Sequence, residues 1–249
     1  MTATARAFGV ARSLAMYYGI PFRARRLRRF YSQFVHAGAL SFDVGAHAGY
    51  RVRCWRSPGA RVVAIEPQPD FVRVLRWLYG DDDGVKIVPQ AVGRTAGTAE
   101  LLLSERTPTV TTLSQRWVDD VRQEPGFTNV KWTRGQRVDV VTLQSLVEQY
   151  GEPAFVKIDV EGFEAEVLAG LATPVRALSF EYVPATRDIA LDCVERLGAL
   201  GSYRYNWSVG ETHRLCSAHW LDAAGLRALL IGLPKRAPSG DVYAVRADA

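Results

Sequence analysis

Cysteine is scarce in this chain and poorly spaced for any joint task. Among 249 residues there are three, Cys54, Cys193 and Cys216, with no CxxC pair. An odd, scattered set argues against a disulfide framework or a structural zinc site and fits a reducing, cytoplasmic location. Runs of about 18 apolar residues are absent, so no spanning helix is expected. Repeats and low-complexity linkers are absent too. The chain therefore reads as one domain over residues 1–249, a length that suits an α/β domain with elaborations. Acid is missing from residues 1–30, which carry Arg6, Arg12, Arg23, Arg25, Arg26, Arg28 and Arg29 within an overall charge of +5. A targeting peptide or a face for anionic membrane would use such a segment. The reading adopted is a basic helical cap over residues 1–34, since charge runs usually mark solvated faces. The Arg cluster follows Phe8, Leu14, Met16, Tyr17 and Tyr18 instead of preceding them, which argues against a secretory signal.

What is present is an alternation of buried strands and helices. Strands are expected at 39–44, 60–66, 86–88, 98–103, 136–141, 154–159, 177–183, 202–207 and 241–246. Helices are expected at 70–79, 142–150, after Gly162, and at 187–200. The β-branched run 60–66 fits a strand covered on both faces. Strands alternating with helices imply a doubly wound, mostly parallel sheet with right-handed crossovers. The stretch 104–135, with Thr107, Thr109, Thr111, Thr112, Trp117, Phe127 and Trp132, has no clear period and reads as an insertion and candidate substrate lid.

Four acids close strands or lie just past them: Asp43, Glu66, Asp159 and Glu181. In an open parallel sheet ligands bind beyond the carboxyl ends of the strands. Gly45 and Gly49 let the backbone turn sharply beside a ligand. Their spacing is GxxxG. The GxGxxG of dinucleotide folds is missing, as is the Lys-Ser/Thr of a P-loop. That combination favours a nucleoside without phosphates and speaks against a nicotinamide oxidoreductase. Glu66 is placed to accept hydrogen bonds from both ribose hydroxyls, and Asp43 to hold a cationic end. Read alone, Asp43 is equally a cap of the next helix and Glu66 an exposed strand-end acid.

Several segments, in order, carry a resemblance. They are Phe42-Asp43-Val44-Gly45-Ala46-His47-Ala48-Gly49, Val63-Ala64-Ile65-Glu66-Pro67, Gln90-Ala91-Val92-Gly93, Val141-Thr142-Leu143 and Lys157-Ile158-Asp159-Val160-Glu161-Gly162. Over residues 35–185 the chain resembles the FkbM family of class I methyltransferases, which use S-adenosylmethionine and release S-adenosylhomocysteine. The resemblance implies a Rossmann-like fold whose mostly parallel seven-stranded sheet has one antiparallel strand near the C-terminus. It also implies transfer to hydroxyl oxygens of sugars, polyketides or other natural products. Carried over, Asp43, Gly45, Ala46 and Gly49 would line the methionine part of the cofactor, and Glu66, with Pro67 beside it, would hold the ribose. Gln90, Ala91 and Val92 would border the adenine. Asp159 would lie near the sulfonium, with Glu161 and Glu164 close to the acceptor. His47 would also stand at the cofactor; the family usually has Asn at that position, and the part His47 plays there stays open. Without the resemblance, Glu161 is equally a first-turn carboxylate favoured by the helix dipole and Glu164 a solvent-facing helical residue.

An alcohol must lose its proton as it attacks, and the candidate bases are Asp159, Glu161, Glu181, His47 and His213. Asp159 is the first choice, with Glu161 and His213 beside it as candidate catalytic residues. Asp159, Glu161 and Glu181 could alternatively gather a hard divalent cation; the reading adopted is metal-free. The aromatics Trp117, Trp132, Tyr203, Tyr205, Trp207 and Trp220 read as core in the main and otherwise as stacking surfaces for sugar rings. The expected partner is a small-molecule or glycan acceptor, with peripheral membrane contact through the basic N-terminus and a homodimer as further options. A nucleic-acid methyltransferase is a rival, but no Asn/Asp-Pro-Pro-Tyr/Phe motif and no catalytic Cys after Pro is found. An inactive scaffold with the same fold is a second rival, opposed by the intact strand-end acids.

Overall fold

The computed structural model describes residues 3–19, 23–104, 106–124 and 126–248. The side chain of Arg6 lies outside the described part, as do positions 1–2 and 20–22 of the expected cap and positions 105 and 125 of the insertion. In chain order the elements are α1 (Ala3–Tyr18), α2 (Arg23–Tyr31), β1 (Leu40–Val44), α3 (Tyr50–Arg56), β2 (Arg61–Ile65), α4 (Pro69–Tyr79), β3 (Val85–Val88), β4 (Ala91–Val92), β5 (Gly97–Leu103) and α5 (Gln115–Val121). They continue as β6 (Thr133–Val141), α6 (Leu143–Tyr150), β7 (Phe155–Ile158), α7 (Glu164–Ala169), β8 (Ala177–Tyr182), α8 (Arg187–Leu200), β9 (Tyr203–Val209), α9 (Ala223–Gly232) and β10 (Gly240–Arg246).

Seven strands form the main sheet in the order β3-β2-β1-β7-β8-β10-β9. β10 alone runs against the rest, as the expected topology requires. From β1 the chain winds outward through β2 and β3, then returns to β7 and winds the other way. The crevice for a ligand is therefore fixed beyond the carboxyl ends of β1 and β7. β5 and β6 lie outside this sheet and pair with the two-residue β4 in a second, three-stranded one. β4 is too short to leave a periodic signal in sequence.

Alternation along the strands decides which helices cover which face. Leu40, Phe42 and Val44 of β1, with Val63, Ile65, Val156, Ile158, Leu178 and Phe180, join the apolar residues of α6–α9 in one core. The opposite face packs against α2 and α3 through Leu27, Phe30, Tyr31, Val52 and Trp55. On that second face the strand ends turn polar. Asp43, Lys157 and Ser179 stand side by side in register, continued by Tyr243 and Asn206, and Asp43, Ser179 and Asn206 are fully buried. Because the strand period is two, a slip of one residue would drive Asp43 and Lys157 into the apolar core, so this row fixes the register.

Local signals end the helices where the chain predicts. Pro69 opens α4, whose Phe71, Val72 and Leu75 are buried. Thr142 caps α6 by accepting from the Ser145 N–H at 3.0 Å, and Gly151 at φ +103° closes it. α2 buries Arg23, Leu27, Phe30 and Tyr31 and turns Arg25, Arg26, Arg28 and Arg29 outward, the stripe of an amphipathic helix laid on a core. No helix among the described residues is long and apolar enough to cross a membrane, and all three cysteines are free thiols.

Candidate active site

Two cavities open over the carboxyl ends of the strands. The first, about 850 Å³ including its open part, lies over β1 and β2 and is closed on its far side by Thr111, Thr112 and Leu113. The second, about 620 Å³, lies over β7 and β8 and is closed by Leu27 and Tyr31 of α2 and by Glu211 and His213. Tyr17, Tyr50, Arg51 and Asp159 line both, so they form the wall where the cavities meet.

The first cavity is shaped mainly by backbone. Gly45 has φ +82°, and a Cβ there would collide with the carbonyl oxygen of Asp159; only glycine lets the two strand ends approach so closely. The N–H groups of Gly45 and Ala46 both donate to the Ile65 carbonyl at 3.0 Å. His47 also has positive φ, +49°, which turns its N–H onto Glu66 Oε2 at 2.8 Å. Gln68 N–H donates to Glu66 Oε1 at 2.7 Å. Glu66 is thus buried and gripped by two backbone donors, not the exposed acid of the alternative reading. Each of its oxygens keeps acceptor capacity. Burial nevertheless pushes its carboxyl up to about 7, against the pull of those backbone hydrogen bonds.

Of the eleven residues expected at the cofactor, nine line this cavity: Gly45, Ala46, His47, Glu66, Pro67, Gln90, Ala91, Val92 and Asp159. Asp43 and Gly49 do not. Asp43 is fully buried beneath the cavity floor, where its Oδ1 accepts from Arg51 Nε at 2.6 Å. It neither faces a ligand nor caps α3. Gly49 is the residue before α3, at φ +75°, and a Cβ there would lie 2.7 Å from both Leu75 and Tyr79. Its task is close packing of the loop against α4. Tyr79 and Tyr18 fasten the same loop by donating to the Gly49 and Ala48 carbonyls at 3.0 and 2.9 Å.

Arg51, which the sequence reading did not single out, is the hub of the wall. Besides Asp43 it donates to Asp159 Oδ2 and to the Gly45 carbonyl, both at 2.8 Å. Burial would discharge it, but the Asp43 and Asp159 carboxylates outweigh burial and keep it firmly charged. Lys157 is the second missed cation. Its ammonium is 3% exposed, donates to Asp241 Oδ1 at 2.8 Å and lies 3.9 Å from Asp159 Oδ2. A lysine between Val156 and Ile158 in a fully buried strand is a legible sign of a buried acid partner; which acid is not legible. Burial works against the charge on Asp159, yet Lys157 and Arg51 together hold its carboxyl below the usual range. An acid so held is a weak proton acceptor, which counts against Asp159 as the first-choice base.

Glu161 also departs from expectation. It lies ahead of α7 at φ +55° and lines the first cavity, so it is not a first-turn helix carboxylate. Thr112 pins its loop by donating to the Glu161 carbonyl at 2.7 Å. Burial, then the nearby charges of Asp159 and Glu164, raise its carboxyl well above the usual range. Glu181 lines the second cavity and is raised in the same way by burial, Glu161 and Asp159. Glu164 faces neither solvent nor these two cavities. It is 2% exposed and accepts from the Val160 and Gly162 N–H groups at 3.2 Å, holding the loop that carries Glu161.

His213 lines the second cavity. Its Nε2 lies 3.2 Å from Glu211 Oε2, and Arg23 donates to the same oxygen at 2.9 Å. Burial would raise Glu211, but His213 and Arg23 prevail and hold it down at about 2. The aromatics Trp117, Tyr203 and Tyr205 are buried core, and Trp132, Trp207 and Trp220 pack on the edges of the cores. None of the six lines either cavity.

The model of the methyltransferase FkbM domain matches residues 43–185, more than half of the chain. The chain belongs to the FkbM methyltransferase family. It is an S-adenosylmethionine-dependent methyltransferase, and the match takes in the glycine loop, Glu66 and the Asp159–Gly162 turn. Similar solved structures include precorrin-6y C5,15-methyltransferase from Geobacter metallireducens, 12% identical over 90% of this chain and 86% of that one with a TM-score of 0.42. An rRNA methylase from Streptococcus thermophilus is 10% identical over 88% of this chain and 93% of that one, TM-score 0.44. Fibrillarin from Aeropyrum pernix, solved with bound S-adenosylmethionine, is 11% identical over 85% of this chain and 68% of that one, TM-score 0.43. No curated protein matches the sequence.

Proposed function

We propose that this FkbM-family enzyme methylates a hydroxyl oxygen of a small, hydrogen-bonding acceptor: a sugar, a glycan end or a hydroxylated natural product. S-adenosylmethionine would occupy the first cavity and the acceptor the second. The observation that carries the reading is the shared wall of Tyr17, Tyr50, Arg51 and Asp159, which lets groups held in the two cavities meet. The first cavity fits a nucleoside with a charged tail. Gly45 leaves a cradle that a Cβ would fill, Glu66 offers two oxygens toward a ribose, and Asp159, kept ionised, offers a negative charge. When bound, the cofactor supplies an electrophilic methyl on positively charged sulfur.

The second cavity supports a polar acceptor. Tyr17, Tyr31, Tyr50, Glu181, Glu211, His213 and Asp241 line it, a wall dense in groups that pair with hydroxyls. These residues would hold the acceptor oxygen within about 3–3.5 Å of the methyl and in line with it. His213 is the base this reading favours. Its ring faces the cavity, and Glu211, fixed by Arg23, orients the imidazole and balances the charge it gains, the arrangement of base and orienting acid that nucleophile activation requires. The acceptor oxygen passes its proton to His213 as it takes the methyl, and the carbon–sulfur electron pair stays on sulfur.

Calorimetry with S-adenosylhomocysteine on the wild type and Glu66→Ala tests the cofactor assignment, with binding expected in the former and weakened by roughly 10–100-fold in the latter. Transfer of radiolabelled methyl to a panel of polyols, phenols and glycosides, with product NMR, tests the acceptor. Methyl appearing on nitrogen or carbon, or steeply salt-dependent transfer to oligonucleotides, would overturn the O-methyl reading.

A further inference from the structure

The outward side of α1 is apolar, which inverts the usual pattern of a helix at a protein surface. From Phe8 on, its exposed positions are Phe8, Ala11, Arg12, Ala15 and Met16, the spacing of one continuous helix face. Phe8 is 62% and Met16 39% exposed. The single cation of this stripe is drawn back to the protein, since Arg12 donates to the Arg106 carbonyl at 2.9 Å. The neighbouring helix α4, whose Tyr79 hydroxyl lies 3.1 Å from that of Tyr18, leaves Trp77 79% exposed. Of the four large hydrophobics exposed among the described residues, only Ile231 lies outside these two helices. Single apolar residues scattered on a surface are ordinary; a contiguous set marks a contact.

An arginine surface stands beside this stripe. Residues 1–30 hold seven arginines and no acid against a net charge of +5 for the whole chain, so the remaining residues are net −2. α2 turns Arg25, Arg26, Arg28 and Arg29 outward, and among the described residues none of the four is ion-paired, whereas the buried Arg23 pairs with Glu211. Arg23 also donates to the Met16 carbonyl at 3.1 Å, and the exposed Arg53 of α3 lies 5.6 Å from the Tyr18 ring. The arginines therefore begin where the apolar stripe ends. A second copy of the chain would bring the same arginines to a self-matching contact, with no acid in residues 1–30 of either copy to meet them. A nucleic acid would pair with the arginines and leave the apolar stripe in water. An anionic bilayer takes both, because phosphate headgroups meet arginine while the boundary beneath them receives Phe and Met.

We propose that the outer faces of α1 and α2 form a docking surface for an anionic lipid bilayer. Phe8 and Met16 enter the headgroup–acyl boundary, and Arg25, Arg26, Arg28 and Arg29 meet lipid phosphates. Reversible attachment of this kind combines a shallow apolar insertion with charge, each too weak alone. On their inner sides the same two helices carry Tyr17, Leu27 and Tyr31, which line the second cavity, so a docked bilayer lies over the cover of that cavity.

The test is co-sedimentation of the full-length protein with vesicles of phosphatidylcholine, alone or with added phosphatidylglycerol. Wild type should bind the anionic vesicles far more tightly than the neutral ones, and added salt should weaken that binding. Phe8→Gln with Met16→Gln should weaken it about tenfold or more, and Arg25→Gln with Arg29→Gln by about 10–30-fold. None of the four residues lines the first or the second cavity, so unchanged S-adenosylhomocysteine affinity shows that both double variants are folded. Wild type that binds S-adenosylhomocysteine but not the anionic vesicles would overturn the docking surface and leave the methyltransferase assignment standing. Equal sedimentation of wild type and both variants would overturn it as well. So would binding lost in the arginine variant but intact in the apolar one, which would leave only a basic patch of the kind that nucleic acid takes. A concentration-dependent dimer abolished by Phe8→Gln with Met16→Gln, with no vesicle binding, would overturn it in favour of a second copy.

Discussion

The two cavities share a wall but are built from different materials. The first is framed by main chain: a left-handed glycine, two N–H groups on one carbonyl, and two more on Glu66. The second is framed by charged and aromatic side chains brought from α1, α2, α3, β7, β8, β10 and the turn after β9. A backbone frame holds one ligand shape and tolerates change in the side chains around it. A side-chain frame can be re-cut for new acceptors by substitution while the sheet stays untouched. The proposed occupants, cofactor in the first cavity and acceptor in the second, match that division.

The severest way to break the comparison is to remove what both halves share. Arg51→Ala leaves Asp43, fully buried, without the cation that donates to it. Losing one partner of a buried ion pair costs about 3–5 kcal/mol, so the unfolding free energy from urea denaturation should fall by about that amount, with both ligands lost together. An unfolding free energy within about 1 kcal/mol of wild type would mean that water replaces Arg51 and that the wall is not a structural unit.

Next in size is a change confined to the second half. His213→Ala should lower methyl transfer by about 10²–10⁴-fold while S-adenosylhomocysteine affinity is unchanged. Glu211→Gln should repeat the loss in weaker form. Equal turnover in wild type and His213→Ala would return the role of base to the carboxylates.

Confined to the first half, Glu66→Ala should weaken S-adenosylhomocysteine by roughly 10–100-fold, the worth of hydrogen bonds to a charged group. The wild-type affinity should depend on pH. The Glu66 carboxyl is pushed up to about 7 by burial, and only the ionised form accepts from both hydroxyls. Affinity should therefore fall as pH drops through 7. Glu66→Gln should flatten that slope, and an equal slope in the variant would assign the titration elsewhere.

The same division explains what could be read from the chain. The strand positions followed from apolar runs and from the residues at the strand ends, because both are local, while the seven-stranded arrangement came from the family resemblance. Nine residues of the first cavity were legible because Gly45, Glu66 and Gln90 belong to short segments whose backbone shapes it. Asp43 misled because a strand-end acid looks the same whether it faces a ligand or, as here, takes an arginine eight residues on at 2.6 Å. Arg51 and Glu211 left no signal. Arg51 links Asp43 to Asp159, and Glu211 is joined to Arg23 across a sequence separation of 188 residues; one chain does not display such pairings. The separate sheet of β4, β5 and β6 was missed for the same reason.

The smallest expected effect sharpens the comparison most, because it asks whether the backbone frame depends on its side chain. His47 offers its N–H to Glu66, while its ring lies 3.7 Å from the centroid of Phe71 with neither nitrogen hydrogen-bonded. Burial, then the Arg51 charge, push its imidazole down to about 3. Above pH 6.5 it is neutral in folded and unfolded chains alike and costs nothing. As pH falls from 6.5 towards 3 the unfolded chain takes up a proton that the folded one refuses, so stability is lost on the acid side. Glu66 has the opposite sign: its raised value removes stability as pH rises from 4.5 to 7. His47→Asn keeps the N–H, suits the left-handed backbone and deletes only the imidazole's contribution. At pH 7.5 its stability should lie within about 1 kcal/mol of wild type, and S-adenosylhomocysteine affinity should hold. At pH 5 the variant should be the more stable of the two, by urea denaturation. An unchanged difference between the two pH values would show that the ring is not held neutral in the fold. Loss of cofactor affinity at pH 7.5 would show that the side chain, and not only the backbone, frames the first cavity.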